Sequence, residues 1–363
     1  MKVVIAGGGT AGHVNPAIAL AVALEGADVT FIGTQRGVES QLVPEAGFRM
    51  EEIEVKGFDR SKPWSLISTG WTALGAVRES RRLLKAIRPD VVVGMGGYVS
   101  LPATWAARSA GAAVVLHEQN IVLGLAHRVS KRRAARIAVS FEDTLQETGS
   151  KGVFTGNPVS KHLVTLDRDE GRKKALETFE LDPDRSSLLV FGGSQGAERV
   201  NIAAAGLAEA WRDRADLQVI HITGRGAYER VRERVESSGA SLLYRVVPYV
   251  SDMGLAYSIA DLALCRGGAT TVAELGVTGV PAVIVPYPHH RDRQQERHGR
   301  VLEGRAAARV LPDSEATTSR VAEIAGGLLA DRDSLAKMRE AMLRCGRPDA
   351  AERLAAVVSQ AAT

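Results

Sequence analysis

Cysteine and long apolar runs are scarce in this chain. Its two cysteines, Cys265 and Cys345, are too few for a disulfide framework, which favours a reducing compartment. The longest apolar stretches, such as 17–24 and 280–285, fall far short of the ~20 residues that span a bilayer. The first strand begins directly after Met1 without a charged and apolar leader, so we expect neither secretion nor a transmembrane segment.

The composition excludes several further classes. Hydrophobic residues make up 45% of the 363 residues and charged residues 24%, as in ordinary folded proteins and unlike disordered or fibrous chains. The length favours two domains. A net charge of +4 is a mild basic excess, which suits a phosphate-bearing substrate or an anionic membrane surface; we predict no nucleic-acid partner.

Short β-branched runs alternate with helical stretches along the chain, which predicts an α/β fold with parallel sheets. The predicted strands are 3–6, 29–32, 91–94, 114–116, 137–139, 188–191, 219–222, 262–264 and 282–285. Glycine-rich turns follow the strands at 3–6 and 188–191, so each predicts the start of a separate Rossmann-like half. Turn residues around Asn157 predict the domain boundary there.

The first glycine-rich turn has two alternative interpretations, with and without a bound NAD. Gly7, Gly9 and Gly12 satisfy the G-x-G-x-x-G pattern, with Asn15 predicted as helix N-cap and Pro16 as first helical residue, so a NAD-dependent oxidoreductase stays open. The second strand ends in Gly-Thr-Gln at 33–35, where a NAD site would place an acidic residue, which argues against NAD. His13 follows the last glycine and is a candidate general base, or else a capping residue.

Further polar loops follow other predicted strands. The loop at 94–98 is an anion-binding or a tight packing turn, and the residues at 117–120 are four polar groups at a strand end. A helix beginning near Gly268 suits a diphosphate, with Glu274 accepting from ribose hydroxyls, and Gln294 and Gln295 are candidate sugar ligands. No spaced set of His, Cys and carboxylate residues predicts a metal site, and we predict no cofactor.

One segment has the pattern of a membrane-surface helix. Trp64, Ile67 and Trp71 lie at helical spacing and are followed by the basic residues Arg78, Arg81, Arg82, Lys85 and Arg88. This pattern predicts docking on an anionic bilayer. Packing on the protein's own sheet is the alternative.

Five motifs together resemble the MurG family of peptidoglycan glycosyltransferases. They are GGTAGH at 8–13, GMGGYVS at 94–100, HEQN at 117–120, GGSQGA at 192–197 and DRQQ at 292–295, in one order. The resemblance implies the glycosyltransferase-B fold, in which two Rossmann-like domains face a cleft. It implies an acceptor and membrane-side domain at 1–157 and a UDP-N-acetylglucosamine domain at 158–344, with a last helix at about 345–363 packing back on the first.

The resemblance also assigns site residues. It implies His13 and Glu118 as catalytic residues, and as substrate-binding residues Thr10, Ala11, Gly12, Asn120, Ser160, Lys161, Ser194, Val250, Ala269, Thr270, Thr271, Val272, Ala273, Glu274, Gln294 and Gln295. Two positions depart from the family: Ser160 followed by Lys161 stands where an arginine is common, and His298 where an asparagine is frequent.

The activity so implied is an inverting transfer of N-acetylglucosamine from UDP-N-acetylglucosamine to the 4-hydroxyl of undecaprenyl-pyrophosphoryl-N-acetylmuramyl-pentapeptide. It would place the protein peripherally at the cytoplasmic face of a bacterial plasma membrane, with other wall-synthesis proteins as further candidate partners. A diacylglycerol glycosyltransferase, a UDP-N-acetylglucosamine epimerase and a non-catalytic nucleotide-sugar-binding scaffold are the alternatives.

Overall fold

The chain forms two compact units. The computed structural model describes residues 1–55, 65–193, 196–290 and 292–362, and of 65–73 only the backbone. The first unit comprises Met1–Ser160 with Arg347–Thr363, and the second comprises Lys161–Gly346. The chain thus leaves the first unit three residues after Asn157 and returns to it with its last helix.

The first unit is built on a seven-stranded parallel sheet. Its strands are β1 Lys2–Ala6, β2 Asp28–Gly33, β3 Arg49–Glu52, β4 Val91–Gly94, β5 Ala113–Glu118, β6 Arg136–Val139 and β7 Gly152–Phe154, in the spatial order β3-β2-β1-β4-β5-β6-β7. The helices are α1 Ala11–Ala23, α2 Glu39–Glu45, α3 Ser65–Ile87, α4 Gly97–Ala106, α5 Leu125–Ser130 and α6 Leu145–Thr148, joined later by α17 Ala350–Ala361.

Helices cover both faces of this sheet. Val3 and Ile5 of β1 pack in one cluster with Leu20 of α1 and Leu354 of α17. The alternate residue Val4 packs in a second cluster on the other face. Burial on both faces explains why the strand sequences are apolar without alternation.

The second unit repeats the design with six parallel strands. They are β8 Ser186–Phe191, β9 Leu217–Ile222, β10 Leu243–Val247, β11 Leu262–Cys265, β12 Ala282–Ile284 and β13 Ala308–Val310, in the order β10-β9-β8-β11-β12-β13. The helices are α7 Lys161–Val164, α8 Arg168–Thr178, α9 Glu198–Ala205, α10 Leu207–Ala210, α11 Tyr228–Ser237, α12 Met253–Ile259, α13 Ala269–Thr278, α14 Gln294–Gly304, α15 Thr318–Ala330 and α16 Arg332–Cys345.

The start of α1 differs from the prediction. The helix begins at Ala11, with Thr10 as its extended N-cap residue at φ −142°, so the prediction of a start at Asn15 and Pro16 was wrong. Gly9 adopts φ +87°, which turns the chain sharply enough for the helix to follow the strand almost at once. Pro16 is consequently buried inside the helix instead of opening it.

Candidate active site

The polar loops of the first unit meet at one edge of its sheet. Strands β1, β4 and β5 are neighbours and parallel, so the turns that follow their carboxyl ends lie side by side. This is the edge at which α/β proteins bind ligands. The structure therefore brings together the turn at 7–12, the loop at 94–98 and the HEQN segment.

His13 lies in the first turn of α1 at this edge. Its Nδ1 is 3.0 Å from the Thr10 hydroxyl, and the imidazole rests against Gly96, where a Cβ atom would come within 2.9 Å of Cδ2. Gly96 adopts φ +94°, so both its conformation and this close approach require glycine. Burial lowers the pKa of His13, which keeps the ring neutral and able to accept a proton.

Glu118 is buried at the end of β5 and accepts four hydrogen bonds. Oε1 accepts from the backbone N and the side-chain Nδ2 of Asn120, both at 3.0 Å. Oε2 accepts from the Gly124 backbone N and from His127 Nδ1, both at 2.7 Å. Burial opposes ionisation, but the attraction to His127 and these hydrogen bonds lower the pKa of Glu118 to about 2. The carboxylate thus anchors the loop that carries Asn120.

The two neighbours of Glu118 connect the end of β5 to the segments that follow β4 and β7. Gln119 Nε2 donates to the Met95 carbonyl at 2.8 Å and lies 3.1 Å from His117 Nδ1. His117 Nε2 is 3.1 Å from the Gly156 carbonyl, so Nε2 carries the hydrogen. Burial lowers the pKa of His117 to about 4. These neutral side chains fix the loop after β4 relative to β5.

Sequence reasoning missed Glu39, which is buried beneath the glycine-rich turn. Its Oε2 accepts from the Gly9 backbone N at 2.9 Å, and Oε1 accepts from the Thr34 backbone N at 3.0 Å and hydroxyl at 2.8 Å. A Cβ atom on Gly8 would lie 2.3 Å from the carboxylate. Because Glu39 occupies an N–H that a dinucleotide pyrophosphate would need, this turn does not suit NAD. The only signal in the sequence is an acidic residue soon after β2.

In the second unit, two helices begin side by side. Gly268 is the extended N-cap residue of α13, and a Cβ atom on Gly267 would lie 2.4 Å from the Gln295 carbonyl in the first turn of α14. His298, buried in α14, has Nδ1 2.9 Å from the Gly267 carbonyl. The N–H groups of a helix's first turn lack intrahelical partners and, with the positive end of the helix, bind phosphates.

The predicted donor residues of α13 lie along its first two turns. Ala269, Thr270 and Thr271 are in the first, followed by Val272, Ala273 and Glu274. Glu274 is partly buried, and its Oε2 accepts from the Tyr257 hydroxyl at 2.8 Å. Burial raises the pKa of Glu274 to about 7, although this hydrogen bond lowers it.

The paired glutamines differ in what they contact. Gln295 Oε1 accepts from the Tyr287 backbone N at 2.9 Å, which ties the loop after β12 to α14. Gln294 Nε2 donates to Asp292 at 2.8 Å on the exposed side. The side-chain oxygen of Gln295 therefore holds this loop in place. Its Nε2 has no hydrogen-bond acceptor among the described residues.

The remaining predicted residues lie on other segments of the chain or outside the described residues, and α7, which Lys161 begins, packs against α13. Val250 follows β10, partly buried; Ser160 ends the first unit and exposed Lys161 begins α7. Ser194 and Trp64 lie outside the described residues, and Ile67 and Trp71 are described by backbone alone. No cluster of three or more His, Cys, Asp or Glu residues in the described ranges is arranged to hold a metal ion. In the same ranges, no helix combines the length and apolar character needed to cross a membrane.

Both halves of the chain match one enzyme family. Residues 3–139 match the Glycosyltransferase family 28 N-terminal domain, and residues 187–354 match the Glycosyltransferase family 28 C-terminal domain. A Nocardioides sp. protein named UDP-N-acetylglucosamine--N-acetylmuramyl-(pentapeptide) pyrophosphoryl-undecaprenol N-acetylglucosamine transferase is 41% identical over 362 residues. The alignment covers 99% of this chain and 97% of that protein.

Comparison with solved structures shows the fold. The crystal structure of MurG from Acinetobacter baumannii aligns with a TM-score of 0.78 at 28% identity over 99% of both chains. The UDP-GlcNAc 2-epimerase from Neisseria meningitidis, solved with UDP-GlcNAc, aligns at 0.71 but only 14% identity, over 99% of this chain and all of its own, which shows the fold alone. The predicted α/β class, two Rossmann-like parallel-sheet domains of the glycosyltransferase-B fold, is confirmed. The chain belongs to glycosyltransferase family 28 and, within it, to the MurG family that its motifs predict.

Proposed function

We propose that the protein is a hexosyltransferase that moves N-acetylglucosamine from UDP-N-acetylglucosamine to the 4-hydroxyl of undecaprenyl-pyrophosphoryl-N-acetylmuramyl-pentapeptide. The observation that carries the proposal is the match over nearly the whole chain to a relative named for this transfer. We assign acceptor binding to the domain that includes residues 1–157 with the last helix, and donor binding to residues 158–344.

The reaction is a single inverting displacement. The acceptor hydroxyl attacks the anomeric carbon, the bond to the UDP oxygen breaks, and the hydroxyl proton passes to His13. A neutral imidazole donating from Nδ1 to Thr10 leaves the Nε2 lone pair for that proton, which fits the 3.0 Å contact and the lowered pKa. No covalent intermediate is needed for one inversion.

Charge that grows on the departing diphosphate is stabilised by the start of α13, through the backbone of Ala269 to Thr271. The UDP ribose hydroxyls donate to Glu274, and Gln294 and Gln295 bind sugar hydroxyls. Thr10, Ala11, Gly12, Asn120, Ser160, Lys161, Ser194, Val250, Val272 and Ala273 complete the proposed substrate contacts. Glu118 acts by positioning Asn120, since four hydrogen bonds already occupy its oxygens.

We also propose that the first unit docks on an anionic membrane at the cytoplasmic face. Trp64, Ile67, Trp71 and the basic residues of α3 are the predicted contacts. Exposed side chains on α4 and α5 are further candidate contacts: Trp105 is exposed with the Arg133 guanidinium 4.1 Å from its ring centroid, and Leu125 is 59% exposed. Aromatic and aliphatic side chains beside arginine are typical of such surfaces.

The direct test supplies purified protein with labelled UDP-N-acetylglucosamine and a short-chain lipid-linked muramyl-pentapeptide, with a chelator present. We expect one UDP released per disaccharide lipid formed, with product mass confirming the transfer. Transfer only to diacylglycerol, or conversion of the donor to its 2-epimer without an acceptor, would replace the proposal by those activities. Tight UDP binding without any transfer would identify a non-catalytic scaffold.

A further inference from the structure

A cavity of about 400 Å³ lies in the second unit, away from the starts of α13 and α14. Its lining includes Ser186 at the start of β8, Asp261 just before β11 and Pro281 just before β12. These positions are at the amino edge of a parallel sheet, whereas α13 and α14 begin beyond its carboxyl edge. The cavity is therefore separate from the proposed donor contacts.

The cavity is lined by four arginines and two carboxylates. Arg172, Arg185, Arg332 and Arg339 face it together with Asp184 and Asp261. Asp261 is partly engaged elsewhere, because its Oδ2 accepts from the Ser187 backbone N at 2.8 Å. The positive charges thus outnumber the negative ones in a cavity that is partly open to solvent.

Much of the arginines' hydrogen-bonding capacity is unused. Arg185 Nε donates to Asp182 at 3.2 Å, but its Nη1 is buried without a partner. Arg172 donates only to the backbone carbonyls of Ile259 and Pro183, each at 3.3 Å. Among the described residues, Arg332 and Arg339 form no hydrogen bond and no ion pair within 4 Å, although Arg172 and Arg332 are near enough to Asp261 to favour its charged form. Burial lowers the pKa of Arg339. Arg172, Arg185 and Arg339 are partly buried, whereas Arg332 is exposed at the cavity rim. Unused donors on partly buried guanidinium groups are costly unless an anion completes them.

We infer that this cavity is a second ligand site of the enzyme, for a small anion that carries one or more phosphate groups. The planar guanidinium binds phosphate oxygens in pairs, and a cavity of about 400 Å³ holds a ligand of diphosphate size or somewhat larger. Helix α16 supplies Arg332 and, two turns on, Arg339 from one face. A soluble phosphorylated metabolite and a lipid phosphate headgroup both have the required chemistry.

The first test titrates the full-length protein with pyrophosphate by calorimetry at low salt, with UDP at saturation and a chelator present. UDP occupies the proposed donor contacts, so the heat released when one equivalent of pyrophosphate binds measures binding to the cavity. We expect Arg332→Gln with Arg339→Gln to weaken this binding at least tenfold. Arg344→Gln is the matched control, since Arg344 lies on the same helix, is exposed and pairs with Glu340 outside the cavity.

The single variant Arg332→Gln guards against misfolding, because that side chain is exposed and its loss leaves the packing of α16 intact. It should weaken pyrophosphate binding severalfold while leaving UDP affinity unchanged. A second arm replaces pyrophosphate by vesicles of phosphatidylglycerol or of phosphatidylcholine. Arginine-dependent binding of pyrophosphate identifies a soluble ligand, and arginine-dependent binding of phosphatidylglycerol vesicles alone identifies a headgroup. Binding of neither, or binding unchanged in both arginine variants, overturns the inference.

Discussion

At the scale of single residues, His13 carries the proposed chemistry. Replacing it with glutamine keeps a side chain that reaches Thr10 but cannot take up a proton. We expect kcat to fall by about 10²- to 10⁴-fold, the usual contribution of a general base to the rate. UDP affinity should stay near the wild-type value, since the start of α13 is untouched.

Thr10→Ser is the matched control for that variant, because it retains the hydroxyl 3.0 Å from His13 Nδ1. It should keep turnover within a few-fold of wild type, measured as UDP release at saturating substrates. Near-normal turnover of His13→Gln would show that another group accepts the proton.

Glu274 gives a second residue-scale prediction, on pH. Burial raises its pKa from 4.5 to about 7, so the folded state binds a proton that the unfolded state has lost between these values. Stability of the second unit therefore falls as pH rises from about 4.5 to 7, by on the order of 3 kcal/mol. Glu274→Gln should remove this dependence, measured by urea unfolding at pH 5 and pH 8.

Tyr257→Phe tests the cause of that shift. The Tyr257 hydroxyl lowers the Glu274 pKa, so its removal should raise the pKa further and extend the loss of stability to higher pH. An unfolding free energy with the same pH dependence in wild type and Glu274→Gln would mean that Glu274 titrates normally.

At the scale of elements, the sequence predicted the interior strands and missed the edges. All nine predicted strands exist, and the four missed strands β3, β7, β10 and β13 are the outer strands of the two sheets. The sequence of β3 is Arg-Met-Glu-Glu, and every residue of β7 and β10 is only partly buried. An edge strand is covered less completely, so its sequence lacks the continuous apolar run that identifies a central strand.

The candidate site likewise contains some features that the sequence predicts and some contacts that it does not. Glycine-rich turns at strand ends were predictable because their residue types and their place after a strand are local features. The contacts of Glu39 with Gly9, of Gln119 with Met95 and of His13 with Gly96 join residues far apart in sequence. Only the neighbouring strand order brings those residues together, and the sequence alone did not supply it.

The exposed surface of α4 and α5 yields an element-scale prediction. Leu125 and Val129, one turn apart on α5, are 59% and 41% exposed, and α5 packs against α4, which carries the exposed Trp105. Replacing both with serine should lower partitioning onto phosphatidylglycerol vesicles about thirtyfold, since each of the two inserted aliphatic side chains contributes roughly 1 kcal/mol or more. Vesicle sedimentation measures the effect.

Ile202→Ser is the matched control for α5, because Ile202 is 44% exposed on α9 of the second unit. It should leave vesicle binding unchanged. Equal losses in both variants would indicate general surface hydrophobicity, and no loss in the Leu125 and Val129 variant would exclude α5 from the membrane contact.

At the scale of the whole molecule, each of the two units has its own hydrophobic clusters, and the last helix of the chain belongs to the first unit. Leu354 and Val358 of α17 are fully buried in the cluster that contains Val3 and Ile5. Leu354→Ala should therefore destabilise the first unit by about 2–5 kcal/mol, the usual cost of emptying a buried leucine site. The second unit, to which we assign UDP, keeps its own core unchanged.

Calorimetric unfolding with and without UDP separates the two units. A ligand that binds only the folded second unit raises the unfolding temperature of that unit. The transition whose temperature does not change with UDP therefore belongs to the first unit. Leu354→Ala should lower the unfolding temperature of the first unit and leave the UDP-dependent transition at its original temperature. Leu343→Ala is the control: Leu343 is 49% exposed on α16, so its replacement should change the unfolding temperature of the first unit little. If Leu354→Ala lowers the UDP-dependent transition equally, the two units unfold as one cooperative body and α17 stabilises both.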